Sequence, residues 1–219
     1  MRTNRVEAFS DGVFAIAITL LVLEIRVPED MTSLGPGLLA LWPSYLAYGI
    51  SFLLIGLVWA NHHVMLDKIH RVDRMLLFLN TLLLANVAAL PFTTAVLARA
   101  VSSGHGQRTA VAVYGGWLVV GGIFFNAVWL WALRRPELLE PGVDRSWTAA
   151  VARRFLLGPA LYAVGTVLAF FAWRPAIALF AALIVLYWLP ISEWRSRGRP
   201  GGRAASVRPP GAAGDDPPA

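Results

Sequence analysis

Residues 5–25 read RVEAFSDGVFAIAITLLVLEI, in which three charged side chains and a serine lead into an apolar run. About 20 mostly apolar residues are enough to span a bilayer as a helix, so this stretch predicts a membrane-spanning helix. A charge at the centre of such a helix costs roughly 2.5–3.5 kcal/mol on insertion scales. The position of Arg5, Glu7 and Asp11 at one end therefore indicates a use for them, and we expect this helix to line an ion pathway.

Helical periodicity divides this segment into two faces. At 100° per residue, one stripe about 100° wide contains Gly12, Ile16, Thr19, Leu20 and Leu23. Ser10 and Asp11 fall outside it, so they face the rest of their own subunit if the stripe faces a pore. Polar groups buried there need partners, because an unpaired one costs several kcal/mol in hydrocarbon. The alternative is an ordinary packing stripe, with Ser10 or Asp11 capping the helix.

The composition is that of an integral membrane protein. Apolar residues make up 57% of the chain, charged residues only 15%, and the mean hydropathy is +0.60. There is no cysteine, which excludes disulfides and thiolate chemistry. Arginine supplies all but one of the 19 basic residues, which indicates a GC-rich bacterial genome.

Six stretches are long and apolar enough to span a membrane, so we predict an all-α, polytopic protein with six transmembrane helices. They are roughly residues 7–26, 40–62, 75–98, 110–133, 154–173 and 176–194. The first is predicted to be retained and not cleaved as a signal peptide, because Asp11 interrupts its front and no small-residue cleavage site follows. Residues 1–195 thus form the transmembrane domain, and the Arg-, Gly- and Pro-rich residues 196–219 are predicted to be a disordered cytoplasmic tail.

The distribution of basic residues predicts the orientation. Most lie in the N-terminus, the second and fourth loops and the tail, and the opposite side holds only Arg26, Arg99, Arg108 and Arg174. The positive-inside rule therefore places both termini in the cytoplasm of a multi-pass protein of the cell inner (plasma) membrane. The net charge of +6 is then a topology signal. We expect membrane lipids as partners, and no nucleic acid.

A second polar cluster lies at the end of the second span, on the same side as Ser10 and Asp11. It comprises Trp59, Asn61, His62, His63, Asp67 and His70. Adjacent antiparallel helices would bring the two clusters together and satisfy their hydrogen bonds. A metal site is the weaker interpretation, because adjacent histidines point about 100° apart on a helix, unlike an i, i+4 pair. We therefore predict structural or pH-sensing histidines, with no metal ion and no cofactor.

Other intramembrane polar residues are isolated. Asn80, Asn86 and Asn126 predict interhelical hydrogen bonds. Glu24, at the outer end of the first helix, either draws cations to a pore mouth or is solvated at the interface. We find no Gly-x-Ser-x-Gly, Walker, His-Glu-x-x-His or carbonyl-filter motif, so the chain is not predicted to be an enzyme.

The pattern Arg5-x-x-x-Phe9-Ser10-Asp11 resembles the signature of the transmembrane protein 175 family, the lysosomal potassium channels and their bacterial relatives. The apolar run after it, and Trp59 followed by His62-His63, are similar to the bacterial members. The other four spans match in number and approximate length only. With one six-helix repeat per chain, the resemblance implies a homotetramer in which four first helices surround a central pore.

The resemblance also implies a function, a leak-type, potassium-permeable channel without a carbonyl filter and with moderate selectivity for K⁺ over Na⁺. It places the apolar constriction on Ile16, with Leu20 and Leu23 beyond it, and assigns a selectivity role to the hydroxyl of Thr19. It implies a hydrogen-bond network that holds the pore helices in register, formed by Arg5, Ser10, Asp11, Trp59, His62 and His63. K⁺ would be the permeant ion.

One alternative from another class stays open. A proton-permeable channel or a proton-coupled transporter would use Asp11 with His62 and His63, although no pair of spans is interrupted in corresponding positions. The sequence does not determine which of the two histidines contacts the first helix.

Overall fold

The computed structural model describes residues 3–143 and 145–188, and its regular elements are all helical. The residues up to Trp188 form one compact unit. The helices are α1 (Thr3–Leu20), α2 (Leu34–Ala40), α3 (Trp42–Leu66), α4 (Arg74–Ala88), α5 (Leu90–Ser103), α6 (Gln107–Leu133), α7 (Arg145–Phe171) and α8 (Trp173–Trp188).

Within the part of the chain that the structure describes, five segments are long and apolar enough to cross a membrane, namely Thr3–Glu24, Trp42–Leu66, Arg74–Ser103, Gln107–Leu133 and Val151–Phe171. They correspond to the first five predicted spans, which confirms the all-α, multi-pass class. The sixth prediction overlaps α8, which is apolar but has 16 residues in the described part. Residues 189–194 and the predicted tail at 196–219 lie outside the described residues.

The boundaries of several elements differ from the predicted ones. The second span continues past residue 62 to Leu66, and the helix of the fifth begins at Arg145 and not near 154. The short helix α2 was not predicted, because its Gly-Pro-Gly composition is unfavourable for a helix. The third span is divided at Ala89 into α4 and α5, because Pro91 lacks the amide hydrogen that would bond to residue 87.

The packing places α1 against α3 and α4, and α6 against α7. Buried hydroxyls link three helices, since Ser51 Oγ lies 2.7 Å from Thr94 Oγ1 and 2.9 Å from the hydroxyl of Tyr114. Around α8, glycine permits close contact, because a Cβ on Gly165 would overlap the ring of Phe180. The buried side chains from these helices form one continuous apolar core.

Three basic segments meet at one end of the bundle. The N-terminal segment contacts the α3–α4 loop through Thr3, whose hydroxyl donates to the carbonyl of Ile69 (2.7 Å). The same loop pairs with the loop after α6, where His70 N–H donates to Leu138 O (2.8 Å) and Glu140 N–H donates to Lys68 O (3.0 Å). The N-terminus and both loops therefore occupy the same side of the membrane domain, as the charge pattern requires.

At the other end, the connection from α1 to α2 is ordered by Asp30. Its carboxylate accepts hydrogen bonds from Ser33 Oγ (2.6 Å) and from the hydroxyl and amide of Thr32 (2.6 and 2.9 Å). These bonds stabilise the ionised form and lower the pKa of Asp30 to about 2. The carboxylate is therefore charged at physiological pH and organises the turn that precedes α2.

Candidate functional site

Helix α1 has one face buried in the protein and one face uncovered. Its buried face carries Val6, Ser10, Phe14, Ala17 and the following Leu21. Its uncovered face carries large apolar side chains, with Ile16 61% exposed, Leu23 69% exposed and Leu20 also exposed. The two faces lie on opposite sides of the helix, where the periodicity of the sequence places them.

The uncovered stripe continues into a tighter helical turn. The α-helix ends at Leu20, and Leu21–Glu24 forms a 3₁₀ turn that keeps Leu23 exposed and leaves Glu24 half-buried at the end. Between Ile16 and Leu20, the exposed hydroxyl of Thr19 lies 2.9 Å from the carbonyl oxygens of Ala15 and Ile16. Because this hydroxyl donates its only hydrogen to its own helix, the oxygen lone pairs on its exposed side remain free to accept.

A directional hydrogen-bond chain anchors the buried face. His62 Nε2 donates to Asn80 Oδ1 (2.8 Å), Asn80 Nδ2 donates to Ser10 Oγ (3.1 Å), and Ser10 Oγ donates to Val6 O (2.8 Å). Ser10 is fully buried, and His62 and Asn80 are almost so. These hydrogen bonds connect α3, α4 and α1, and they supply partners to polar groups that would be costly to bury without them.

A second contact attaches the same end of α1 to α3. The indole Nε1 of Trp59 donates to Asp11 Oδ1 (2.9 Å), and the Trp59 ring stacks on the imidazole of His63 at 6.0 Å between centroids. His63 Nδ1 in turn lies 3.0 Å from Glu7 Oε1. Glu7 and Asp11 are one turn apart on α1, so both their carboxylates face α3.

Both histidines contact the first helix, by different means. The imidazole of His62 packs against Phe14, with 5.4 Å between ring centroids, and reaches Ser10 through Asn80. The imidazole of His63 reaches α1 by its polar contact with Glu7. The ambiguity that the sequence left open is therefore settled by the packing of α1 on α3.

Arg5 lies apart from these residues. It falls about 140° around the helix from Ser10 and is exposed. Among the described residues it has no hydrogen bond or ion pair. Its membership of the network stays a prediction, and a partner would have to come from outside the described part of this chain.

Sequence reasoning missed two participants, Glu7 and the specific role of Asn80. Asn80 was predicted only to form an interhelical hydrogen bond, and this prediction is confirmed by its bond to Ser10. The same prediction is confirmed for Asn86, which bonds to Trp117 O, and for Asn126, which bonds to Phe155 O. Glu7 could have been found from its spacing, since it lies one turn before Asp11. Together with His63 and Asp67, Glu7 also forms a set of side chains able to hold a metal ion.

The fold and this site define a multi-pass, all-helical membrane protein whose N-terminal helix is anchored to its own bundle by polar residues. The family model described as "Endosomal/lysosomal potassium channel TMEM175" matches residues 5–91, which include most of α1 and all of α2, α3 and α4. The chain belongs to the TMEM175 family, as its similarity along most of its length to curated members also shows.

Two bacterial proteins illustrate this similarity. A potassium channel of Streptomyces collinus is 44% identical over 191 residues, covering 85% of this chain and 91% of that protein. The crystal structure of a lysosomal potassium-selective channel TMEM175 homologue from Chamaesiphon minutus superposes with a TM-score of 0.76 at 39% identity, covering 84% of this chain and 95% of that one.

An animal relative carries a different description. The human endosomal/lysosomal proton channel TMEM175 is 36% identical over 151 residues, covering 64% of this chain but only 30% of the human protein. The similarity thus extends to a much longer protein.

Proposed function

We propose that this protein is a potassium-permeable, leak-type ion channel with moderate selectivity for K⁺ over Na⁺. The main support is that α1 has two different faces. Polar groups anchor one face to the bundle, and the other face is an uncovered apolar stripe. A helix that is held firmly by its own subunit can present its opposite face to a pore. The bacterial relatives named as potassium channels support this function.

The pore forms between copies of the chain. One α1 helix cannot enclose a pathway, so the uncovered faces of several α1 helices must meet around a common axis. A closed cyclic arrangement satisfies this requirement with identical interfaces. We propose a homotetramer, a number that comes from the family resemblance and not from the described contacts.

Side chains must line this pore, because the backbone carbonyls of a continuous helix are committed to its own hydrogen bonds. Ile16 forms the narrowest ring, with Leu20 and Leu23 beyond it. A tight ring of such side chains excludes water and closes the path to ions. Conduction then requires the α1 helices to rotate or splay until an ion passes with part of its hydration shell.

Selectivity comes from Thr19 in place of a carbonyl filter. Its outward lone pairs offer a ring of oxygens to an ion that has lost part of its water. K⁺ gives up water more readily than Na⁺, so a ring of this kind favours K⁺ moderately. Glu24, at the end of the tighter turn, raises the local cation concentration at the mouth.

The anchoring contacts keep the α1 helices in register. Ser10, Asp11, Trp59, His62 and His63 would serve this purpose, with Arg5 contributing at the helix end. The N-terminus and two basic loops share one end of the bundle, which supports a cytoplasmic location for this end in the cell inner (plasma) membrane. We propose the same side for the C-terminus, on the charge pattern of the sequence alone.

Flux from liposomes that contain the purified protein tests this function. K⁺, Na⁺ or N-methylglucamine is supplied as the only cation gradient, and protein-free vesicles are the control. We expect K⁺ flux above Na⁺ flux and none for the bulky cation. Absence of K⁺ flux from vesicles shown to hold folded protein would contradict the proposal.

A second candidate is a proton pathway, supported by the name of the human relative and by the buried His62, which interacts electrostatically with Asp11. Currents measured across planar bilayers under a pH gradient distinguish the two candidates. A reversal potential that follows the K⁺ gradient supports the potassium channel. A reversal potential that follows the proton gradient would replace that proposal with the proton pathway.

A further inference from the structure

We propose that Glu7, His63 and Asp67 form a binding site for Zn²⁺ or a similar divalent transition-metal ion that joins α1 to α3. One ligand atom from each side chain can be chosen so that all three lie within 4.8 Å of one another. The shortest pair, His63 Nδ1 and Glu7 Oε1, is 3.0 Å apart. This site is separate from ion conduction and does not depend on it.

The spacing of the three residues suits a metal ion. His63 and Asp67 are four residues apart, so they lie on the same face of α3 at its end, and Glu7 faces them from α1. Zn²⁺ binds nitrogen and oxygen ligands at about 2.0–2.2 Å, which places tetrahedral ligand atoms about 3.3 Å from one another. The contact between His63 and Glu7 is already close to that separation.

Asp67 has the freedom to complete the site. It is exposed, and its carboxylate makes no hydrogen bond or ion pair with other residues in the part of the chain that the structure describes. A side-chain rotation can therefore bring it to the metal without breaking a hydrogen bond or ion pair. Three protein ligands leave a fourth position for water, as in other open zinc sites.

The ligand chemistry selects the class of ion. Imidazole nitrogen favours transition metals such as Zn²⁺, whereas Mg²⁺ and Ca²⁺ prefer sites built only of oxygen ligands. Two carboxylates neutralise the charge of a divalent ion. The other nearby histidines are engaged elsewhere, because His62 is buried against Asn80 and His70 lies 3.2 Å from Glu140.

An ion can reach the site from the aqueous side. Glu7 and Asp67 line a cleft at this end of the bundle, together with Thr3, Asn4 and Arg71. His63 is itself 46% exposed. A bound ion would clamp α1 to α3 one turn beyond the contact between Trp59 and Asp11, and so add a third attachment for the same end of α1.

Isothermal titration of the purified, tag-free protein in detergent with ZnCl₂ tests the site, and MgCl₂ is the comparison ion. We expect about one strong Zn²⁺ site per chain and a rise in Tm on Zn²⁺ addition, because an ion that binds only the folded state stabilises it. MgCl₂ should give neither result. A wild-type protein that binds no Zn²⁺, or binds Mg²⁺ equally well, overturns the proposal.

Variants locate the ion. Asp67→Asn and His63→Gln should each weaken Zn²⁺ binding at least about tenfold. His70→Gln, which removes a neighbouring exposed histidine outside the site, should leave binding unchanged. Because the Asp67 side chain makes no hydrogen bond or ion pair among the described residues, Asp67→Asn should keep the Tm of the metal-free protein. Wild-type affinity in both Asp67→Asn and His63→Gln would overturn the assignment.

Discussion

His62 on α3 and Ser10 on α1 are joined by Asn80 of α4, which accepts a hydrogen bond from His62 and donates one to Ser10. This series of hydrogen bonds ends at the carbonyl of Val6, which accepts from Ser10 Oγ, so each of the three side chains has a partner. Since all three side chains are buried, these hydrogen bonds fix α1 against α3 and α4 in one arrangement.

Replacing Asn80 should therefore destabilise the protein. Asn80→Leu removes one acceptor and one donor and leaves His62 without its buried partner, so we expect a loss of about 1–3 kcal/mol in the free energy of unfolding. Thermal unfolding in detergent measures it. Asn61→Ala is the matched control, because among the described residues the Asn61 side chain bonds only to the carbonyl of Leu57 in its own helix. Equal effects of both variants would contradict the linking role.

The hydrogen bond between Trp59 and Asp11 should appear as a coupling energy. Trp59→Phe keeps an aromatic ring beside His63 but removes the indole donor, and Asp11→Ala removes the acceptor. We expect the two effects on unfolding free energy to be non-additive by about 1 kcal/mol, since each substitution alone breaks the same bond. A double-mutant cycle from denaturant unfolding provides the value. Additive effects would show that the contact contributes nothing to stability.

Ile16→Asn should increase K⁺ flux severalfold in the liposome assay. A polar ring at the constriction holds water, which removes the dewetted barrier that we propose at this position. Ile123→Asn is the control, because Ile123 is an isoleucine of similar exposure on α6, at 53% against 61% for Ile16. Unchanged flux in Ile16→Asn would remove Ile16 as the gate. An increase in both variants would indicate non-specific leakage.

Thr19→Val should lower the ratio of K⁺ to Na⁺ permeability towards one. Valine keeps the volume and branching of threonine but lacks the oxygen that we propose to face the ion. Thr81→Val is matched to it, because Thr81 is also exposed and also donates its hydroxyl hydrogen to its own helix, at Leu77 O. Reversal potentials under mixed K⁺ and Na⁺ gradients measure the ratio. If both variants keep the wild-type ratio, Thr19 does not determine selectivity.

Gly165→Ala should destabilise the packing of α7 on α8 by about 1–3 kcal/mol, because the added methyl group overlaps the ring of Phe180. Gly116→Ala is the control in α6, where an added Cβ has open space around it. There we expect no loss and a gain of up to about 1 kcal/mol from the higher helix propensity of alanine. Thermal unfolding of both variants decides the comparison, and equal Tm values would contradict the close contact at Gly165.

Much of the site could be predicted because it lies on one helix. Periodicity alone separates Ile16 and Leu20 from Ser10, since side chains on a regular helix repeat at a known angle. The predicted network was less complete, because Glu7 and Asn80 carry no local signal that names their partners. Arg5 shows the limit of a motif, since it belongs to the signature but makes no hydrogen bond or ion pair with the described residues.

The apolar runs and the charged loops were sufficient to predict an all-α, multi-pass protein, because bilayer thickness sets the length of a spanning helix. The signature around Phe9-Ser10-Asp11 was sufficient to predict the family. Only the tertiary structure decided that Asn80 stands between His62 and Ser10, and that Glu7 meets His63 and Asp67. The physical reason is that helical periodicity assigns each side chain to a face, whereas the packing of α1 on α3 and α4 determines which faces meet.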